Sequence, residues 1–379
     1  MTQEFHLKVP EKKNIAVIGG GIFGVMGGMK LAECGFHVTI MEKATDILMG
    51  ASYINQNRLH MGYHYPRSDE TARLSNVYQR AFIQLFPSTV VDNFSHYYCL
   101  AKEGSRITPE QYVKFCDRIG LPYTIESPDI PLLNKEKVVF SMRVPEKVYD
   151  THLLRKTLQD ILEKDERINV MLSTEVTEIT RKQDGFAVNF KKNDRNNIGH
   201  FDAILNATYS NINKMIALAG FETKTYEYEL CEVPVIRVPW KKQTGCGIFD
   251  GPFFGVLPFG FSNEYLLYDV ELSVLEKCCG IFPQFKHDVS FYDAEETRKE
   301  RFQKYIQKAQ QFIPDMKNCQ HLYSSYITRI ILPDHDNDDA RPTDVLNHGY
   351  GFWTIFAGKI SAAIPAAERI AEEMCDFFI

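Results

Sequence analysis

The stretch that most constrains this chain runs from Asn14 to Lys43 and reads NIAVIGGGIFGVMGGMKLAECGFHVTIMEK. Ile15 to Ile18 is a short apolar run with the length and composition of a buried parallel strand. Glycines then fall at 19, 21 and 24, in the spacing GxGxxG. A segment of helical character extends from Ile22 to Cys34, and Gly35 supplies its C-cap. A β-rich run follows, His37 to Met41, and ends on Glu42. Gly19 permits a sharp strand-to-helix turn. Gly21 lets backbone approach a pyrophosphate, and Gly24 lets the helix close on the strand. The helix opens on Ile22 and Phe23, so free N–H groups and the positive end of the dipole face the phosphates. Glu42, about 20 residues beyond the glycines, can accept hydrogen bonds from both ribose hydroxyls of an adenosine. Its charge would repel a 2′-phosphate, which argues against NADP. Glycines alone are weak evidence; strand, glycines, helix and acid together form a dinucleotide-binding fingerprint.

With 379 residues the chain can hold two domains or one large composite domain. The net charge of −6 gives no reason to expect nucleic acid or an anionic membrane as partner. No apolar run is long enough to span a bilayer, and MTQEFHLKVPEKK has no apolar core of a secretory signal. The nine cysteines lack CxxC pairs, so reduced thiols in the cytoplasm are expected. The acidic run 334–339, DHDNDD, lacks the spacing of a calcium loop, and no metal is expected there.

Residues 46–73 read DILMGASYINQNRLHMGYHYPRSDETAR. This is too polar, and too rich in Gly, Asn, His and Tyr, for a simple helix or strand. A long loop inside a compact domain is usually functional. On loop chemistry alone Ser52 and Asn55 are turn formers and His60 is a partly buried polar residue. Ala51, Ser52, Asn55, His60, Gly62, Tyr65 and Pro66 resemble the second signature of the D-amino-acid-oxidase superfamily. These are FAD enzymes that include glycine and sarcosine oxidases, glycerol-3-phosphate dehydrogenase and L-2-hydroxyglutarate oxidase.

The resemblance implies that Ala51, Ser52 and Asn55 run along the pyrophosphate and under the isoalloxazine ring, with Asn57 and Leu59 in the same stretch. The surroundings of His60 are similar to hydroxyglutarate oxidases, where His-x-Gly-x-x-Tyr faces the flavin. Asn57 departs from the pattern, because those sequences carry glycine or another small residue. Val176 matches a valine whose backbone clamps adenine. Asn206, Ala207 and Thr208 resemble a run that lies against the FAD phosphates, although Tyr209 stands where glycine is usual. Near the C-terminus Gly351 precedes a strand, and Gly358, Lys359 and Ile360 open a helix similar to the Gly-Gly-Lys segment of glycerol-3-phosphate dehydrogenases. That helix would point its N–H groups at the flavin edge where negative charge collects on reduction.

The fold class expected is α/β, with a glutathione-reductase-type Rossmann FAD-binding domain. A second α+β substrate domain would be built on an antiparallel sheet. Segments 1–92, 147–220 and 320–379 are assigned to the first domain, and 93–146 and 221–319 to the second. Helices are expected at Ser68 to Phe86, from Thr108 to near Gly120, at Tyr149 to Asp165 and at Ala294 to Phe312. Leu230 to Pro239, Phe253 to Pro258 and Tyr265 to Leu272 read as successive strands without intervening helices, which suits an antiparallel sheet.

Substrates in such a family commonly carry a carboxylate on the carbon that is oxidised, so a small carboxylate-bearing molecule is the expected partner. Arg329 and Arg341 are candidates to pair with it, and Arg58 is a third. A hydroxy acid also needs a base. His60 suits that role and His64 stands behind it. Some relatives instead join a histidine covalently to the flavin; here non-covalent FAD is expected. The function read from the sequence is oxidation of a C–N or C–O bond of an amino or 2-hydroxy acid. Two alternatives stay open, an NAD-dependent dehydrogenase and a non-catalytic FAD-binding protein. A yellow flavin spectrum separates the first, and anaerobic flavin reduction separates the second.

Overall fold

Ile15, Ala16 and Val17 are wholly excluded from solvent, as an all-apolar strand must be when both faces of its sheet are covered. The computed structural model describes residues 12–128, 133–251, 253–333, 343–356 and 358–379. Asn14–Ile18 lies centrally in a six-stranded sheet. On one side it pairs in parallel with His37–Met41, which pairs with Ile168–Met171. On the other it pairs with Ala203–Asn206, followed by Phe352–Phe356 and, antiparallel, Asp344–Asn347. One face carries the helices Ile22–Glu33 and Ala363–Phe378, which pack on each other through Val25, Ala363, Ala366, Ala367 and Ile370. The other face carries a three-stranded antiparallel sheet, Thr174–Lys182, Gly185–Lys192 and Arg195–Phe201, through Val176, Ile179, Val188 and Phe190.

The second sheet has nine strands. Tyr226–Arg237 pairs with Val274–Gly280 and Tyr265–Asp269, and the sheet continues through Phe254–Pro258, Thr244–Phe249, Ser95–Ala101, Val138–Val144 and Thr124–Ile125. Gln320–Ile331 lies antiparallel along Tyr226–Arg237, from Glu227 opposite Ile331 to Arg237 opposite Gln320. Residues 320–331 therefore extend the second sheet, and the chain rejoins the nucleotide sheet only at Asp344. The expectation that the first domain resumes at 320 is corrected by that pairing. One pair in this sheet is parallel, Thr244–Phe249 beside Ser95–Ala101.

Local signals placed the helices well. Ser68 caps Asp69–Leu85 by accepting the Thr71 N–H (3.3 Å). Thr108 and Gln111 form a reciprocal capping box on Pro109–Ile119, which ends at Gly120 with φ +76. Asp150 caps Thr151–Leu162. Other expectations shift. The final helix does not open at Gly358; a short 3₁₀ turn, Ile360–Ala362, leads into Ala363–Phe378. Arg195–Phe201 is a strand that the polar text KKNDRNN concealed. Asn193 and Asp194 turn the hairpin with φ +48 and +61, the left-handed pair such tight turns require. No helix of the described residues is long and apolar enough to cross a membrane.

Candidate active site

Both sheets contribute to one cavity of about 1110 Å³. At one end its walls are mostly backbone. Gly19 turns with φ +105, and a Cβ there would stand 2.6 Å from the Ala207 carbonyl oxygen. A Cβ on Gly24 would collide with the Gly19 carbonyl oxygen, so this glycine lets the helix seat on the turn without itself lining the cavity. Gly21, Ile22 and Phe23 do line it. The Ile22 N–H donates to Ser52 Oγ (2.9 Å), which ties the 46–56 loop to the helix N-terminus. Glu42 is held at the strand tip: Oε2 accepts the Gly20 N–H (2.6 Å) and Oε1 the Ala44 N–H (2.8 Å). Lys43, Ala51, Asn55, Val176, Ala207 and Thr208 line the same end. Asn55 is braced by Ala51 O (2.9 Å) and Tyr149 OH (2.9 Å).

Two departures from glycine have a conformational reading. Tyr209 has φ +54 and Asn57 φ +53, so both adopt the left-handed backbone for which glycine is the cheap choice. Asn57 is fully buried and neither atom of its side-chain amide has a hydrogen-bond partner among the described residues. Gly62, with φ +123, packs against the Ala72 backbone, where a Cβ would stand 2.8 Å from the carbonyl oxygen.

Four other expected cofactor contacts do not line the cavity. Asn57 and Leu59 are buried beneath it. Asn206 is a brace: it bonds Ile212 O (3.0 Å) and accepts from Thr208 Oγ1 (2.7 Å). Gly351, with φ +84, serves a turn beside Asp202 and Phe377. Gly358, Lys359 and Ile360 do line it.

The far end is built from side chains. Arg58, His60, His64, Tyr65 and Tyr98 face one another there, and Phe249 and Phe254 close the wall. Arg58 is buried, with Nη1 donating to Tyr98 OH (2.8 Å) and 3.5 Å from His64 Nδ1. Tyr98 in turn donates to Glu146 Oε1 (2.6 Å), and the Met61 N–H donates to Glu146 Oε2 (2.7 Å). His96 Nδ1 lies 3.0 Å from the Glu146 carbonyl oxygen. The Glu146 carboxylate thus pins the segment that follows the short strand Arg58–Leu59 and carries His60. Burial would lower the Arg58 pKa, but Tyr98 and Glu146 more than offset it. Burial raises Glu146 against the opposing pull of Arg58. His60 is pushed well below the usual imidazole range, first by burial and then by Arg58, His64 and Lys359. Its Nδ1 has no hydrogen-bond partner among the described residues. Lys359 donates to Ser75 Oγ (2.9 Å) and sits 3.8 Å above the Tyr65 ring.

Of the other arginine candidates, Arg329 lines the cavity but binds Glu229 Oε2 through Nε (3.1 Å) and Nη2 (2.5 Å), and lies 5.4 Å from the centre of the Tyr268 ring. Arg341 lies outside the described residues, as does the acidic run 334–339. No group of metal-ligating side chains occurs among the described residues. Sequence reasoning missed Glu146, Tyr98, Arg67, Arg106 and Asp250. They come from segments remote in sequence, and Thr244–Phe249, TGCGIF, which precedes Asp250, reads as a glycine-rich turn although every residue of it is buried.

The family model described as DAO, FAD dependent oxidoreductase, matches residues 14–364. Among curated proteins, the chain is 26% identical over 197 residues to the FAD-dependent monooxygenase FPY4 of Fusarium mangiferae. That match covers 52% of this chain and about half, 49%, of the relative. It is 24% identical over 382 aligned residues to the FAD-dependent monooxygenase kojA of Aspergillus flavus, covering 96% of this chain and 86% of the relative. Among solved structures, glycine oxidase from Geobacillus kaustophilus superposes with a TM-score of 0.72 at 16% identity, over 96% of this chain and 95% of that one. At that identity the likeness is one of fold.

Proposed function

The chain belongs to the DAO family of FAD dependent oxidoreductases, and from that premise we propose that it oxidises a C–N or C–O bond of a small amino or 2-hydroxy acid. Its fold is the mixed α/β arrangement of that family, and the NAD-dependent alternative falls with the family match. The observation that carries the reading is one continuous cavity with a backbone-walled nucleotide end and a cationic, aromatic far end. The nucleotide end fits FAD. Gly19 and Gly24 press helix and strands together so that Gly21, Ile22 and Phe23 meet the phosphates, Glu42 takes the ribose, and Val176, Ala207 and Thr208 flank the groove. FAD supplies a two-electron acceptor that takes a hydride at N5.

The remaining roles belong to the side chains. Arg58 presents its guanidinium to the cavity and anchors the substrate carboxylate, because the Arg329 guanidinium is already bound by Glu229. His60 takes the proton of a substrate hydroxyl or ammonium. It is neutral near pH 7, since burial first and then the neighbouring Arg58 and Lys359 cations hold its pKa down, and so is ready as a base. His64 is the second candidate. Lys359 places a cation beside the first turn of the C-terminal helix, where it would favour a flavin that gains negative charge. FAD is held without a covalent bond, and nine free cysteines suit a reducing, cytoplasmic setting.

The test is anaerobic. The purified protein is expected to be yellow, to release its flavin on acid precipitation, and to bleach with at least one member of a panel of D- and L-amino acids and 2-hydroxy acids. A flavin that no panel member reduces would overturn the substrate class.

A further inference from the structure

One wall of the far end carries charges that the proposed oxidation does not use. Asp250 follows the strand Thr244–Phe249, one residue beyond Phe249, whose ring lies 6.5 Å from that of His64. It lines the cavity, is only 7% exposed and has φ +23. Its Oδ1 pairs with Arg67 Nη1. Its Oδ2 is buried with no hydrogen-bond partner among the described residues.

Arg106 lines the same wall. Its backbone N–H donates to the Asp250 carbonyl oxygen (2.9 Å), and its guanidinium has no partner among the described residues. The two loops are keyed together. Ser105 Oγ donates to Phe249 O (3.1 Å), and a Cβ on Gly251 would stand 2.5 Å from Gly104 O. Backbone therefore fixes an unsatisfied acceptor beside a free donor. A buried carboxylate oxygen left without a donor is costly unless something that enters the cavity supplies one.

We propose that Asp250 and Arg106, with Arg67 as counter-ion, form a distal subsite for a substrate head group that carries a hydrogen-bond donor beside an anionic or carbonyl oxygen. This rests on the oxidase reading and narrows it to bifunctional acids. The carbon oxidised lies toward His60, an apolar spacer runs along Phe249, Phe253 and Phe254, and the second head group reaches the subsite. Asp250 Oδ2 accepts from an ammonium, hydroxyl or amide N–H, and Arg106 donates to the neighbouring oxygen.

Probes with the same six-carbon chain isolate the distal group: norleucine has none, lysine an ammonium, 6-hydroxynorleucine a hydroxyl, 2-aminoadipate a carboxylate and its 6-amide an amide. Both enantiomers are titrated into the FAD-loaded protein, and binding is read from the flavin absorbance change without turnover. The 6-amide, which carries an N–H donor beside a carbonyl oxygen, should bind tenfold or more tightly than norleucine, with lysine and 2-aminoadipate, which each offer half of that pair, in between. Asp250→Asn should shrink the advantage of a donor-bearing probe at least fivefold, and Arg106→Gln that of the carboxylate or amide. Equal binding of all probes, or both variants leaving every ratio within twofold, overturns the subsite. Arg106 is exposed, so its variant serves if Asp250→Asn does not fold. Tight distal binding without any flavin reduction would support the subsite while removing these acids as substrates; reduction by short acids alone would do the reverse.

Discussion

The two ends of the cavity are made of different material. The nucleotide end is shaped by main chain: glycine turns, a helix N-terminus, strand tips and a carboxylate tethered by two backbone N–H groups. The substrate end is shaped by side chains from remote strands, centred on the buried Arg58–Tyr98–Glu146 cluster. Backbone walls leave their mark in short contiguous text. Side-chain walls depend on register between strands that lie far apart in the chain. The first is generic and the second selective, so damage to each should look different.

The largest effect is expected from Gly24→Val. A side chain there collides with the Gly19 carbonyl oxygen, so the turn must open. Flavin content, read as the ratio of visible to protein absorbance, should fall to a few per cent of the parent. A variant purified yellow at full occupancy would break the contrast at its generic end.

His60→Gln should leave flavin content intact and slow anaerobic reduction about 100-fold or more, the usual contribution of a positioned base. Its pH dependence has a definite sign. Burial and the Arg58 and Lys359 cations hold the His60 pKa well below 6.5, so the rising limb of the rate profile should lie on the acid side of 6.5. A rising limb centred above 6.5 would contradict that environment.

Glu146→Ala leaves Arg58 buried beside no carboxylate. Removing one partner of such a pair costs about 3–5 kcal/mol, and thermal melting of the FAD-loaded protein should show it. Stability should also fall with acid. His96 is pushed down to about 3, by burial and then by Arg58. Below 6.5 the unfolded chain takes up a proton that the folded chain refuses, so stability is lost as pH falls from 6.5 toward 3. The loss is about 2 kcal/mol between pH 6.5 and 5. The smallest effect is Ser68→Ala, which removes one N-cap whose own side chain does not line the cavity. It should lower stability by about 1 kcal/mol and leave flavin reduction alone.

The contrast also explains what could be read in advance. Gly19, Gly21 and Glu42 were legible because spacing along one βαβ unit fixes their place, whereas Val176 was read only through its resemblance to a family segment. Ser68 and Thr108 were legible because a cap is a local bargain between neighbours. Asp250 was not, because its partners Arg67 and Arg106 come from two other loops. Glu146 was hidden at a boundary between segments, and nothing near it in the text announces that it bonds the Met61 N–H. Arg329 lines the cavity, but its engagement with Glu229 depends on cross-strand pairing that only the folded sheet displays.

The parallel seam between Ser95–Ala101 and Thr244–Phe249 has a bearing on how the molecule is made. Those strands flank the long middle of the chain, Lys147–Leu218, which crosses to the nucleotide sheet and back. During synthesis the earlier strand must wait, one edge unsatisfied, until that excursion is complete. Sheets closed by such distant pairings form slowly. Nascent protein should therefore carry an open edge on Ser95–Ala101 through synthesis of the middle of the chain, while the nucleotide sheet waits longer still, for Phe352–Phe356.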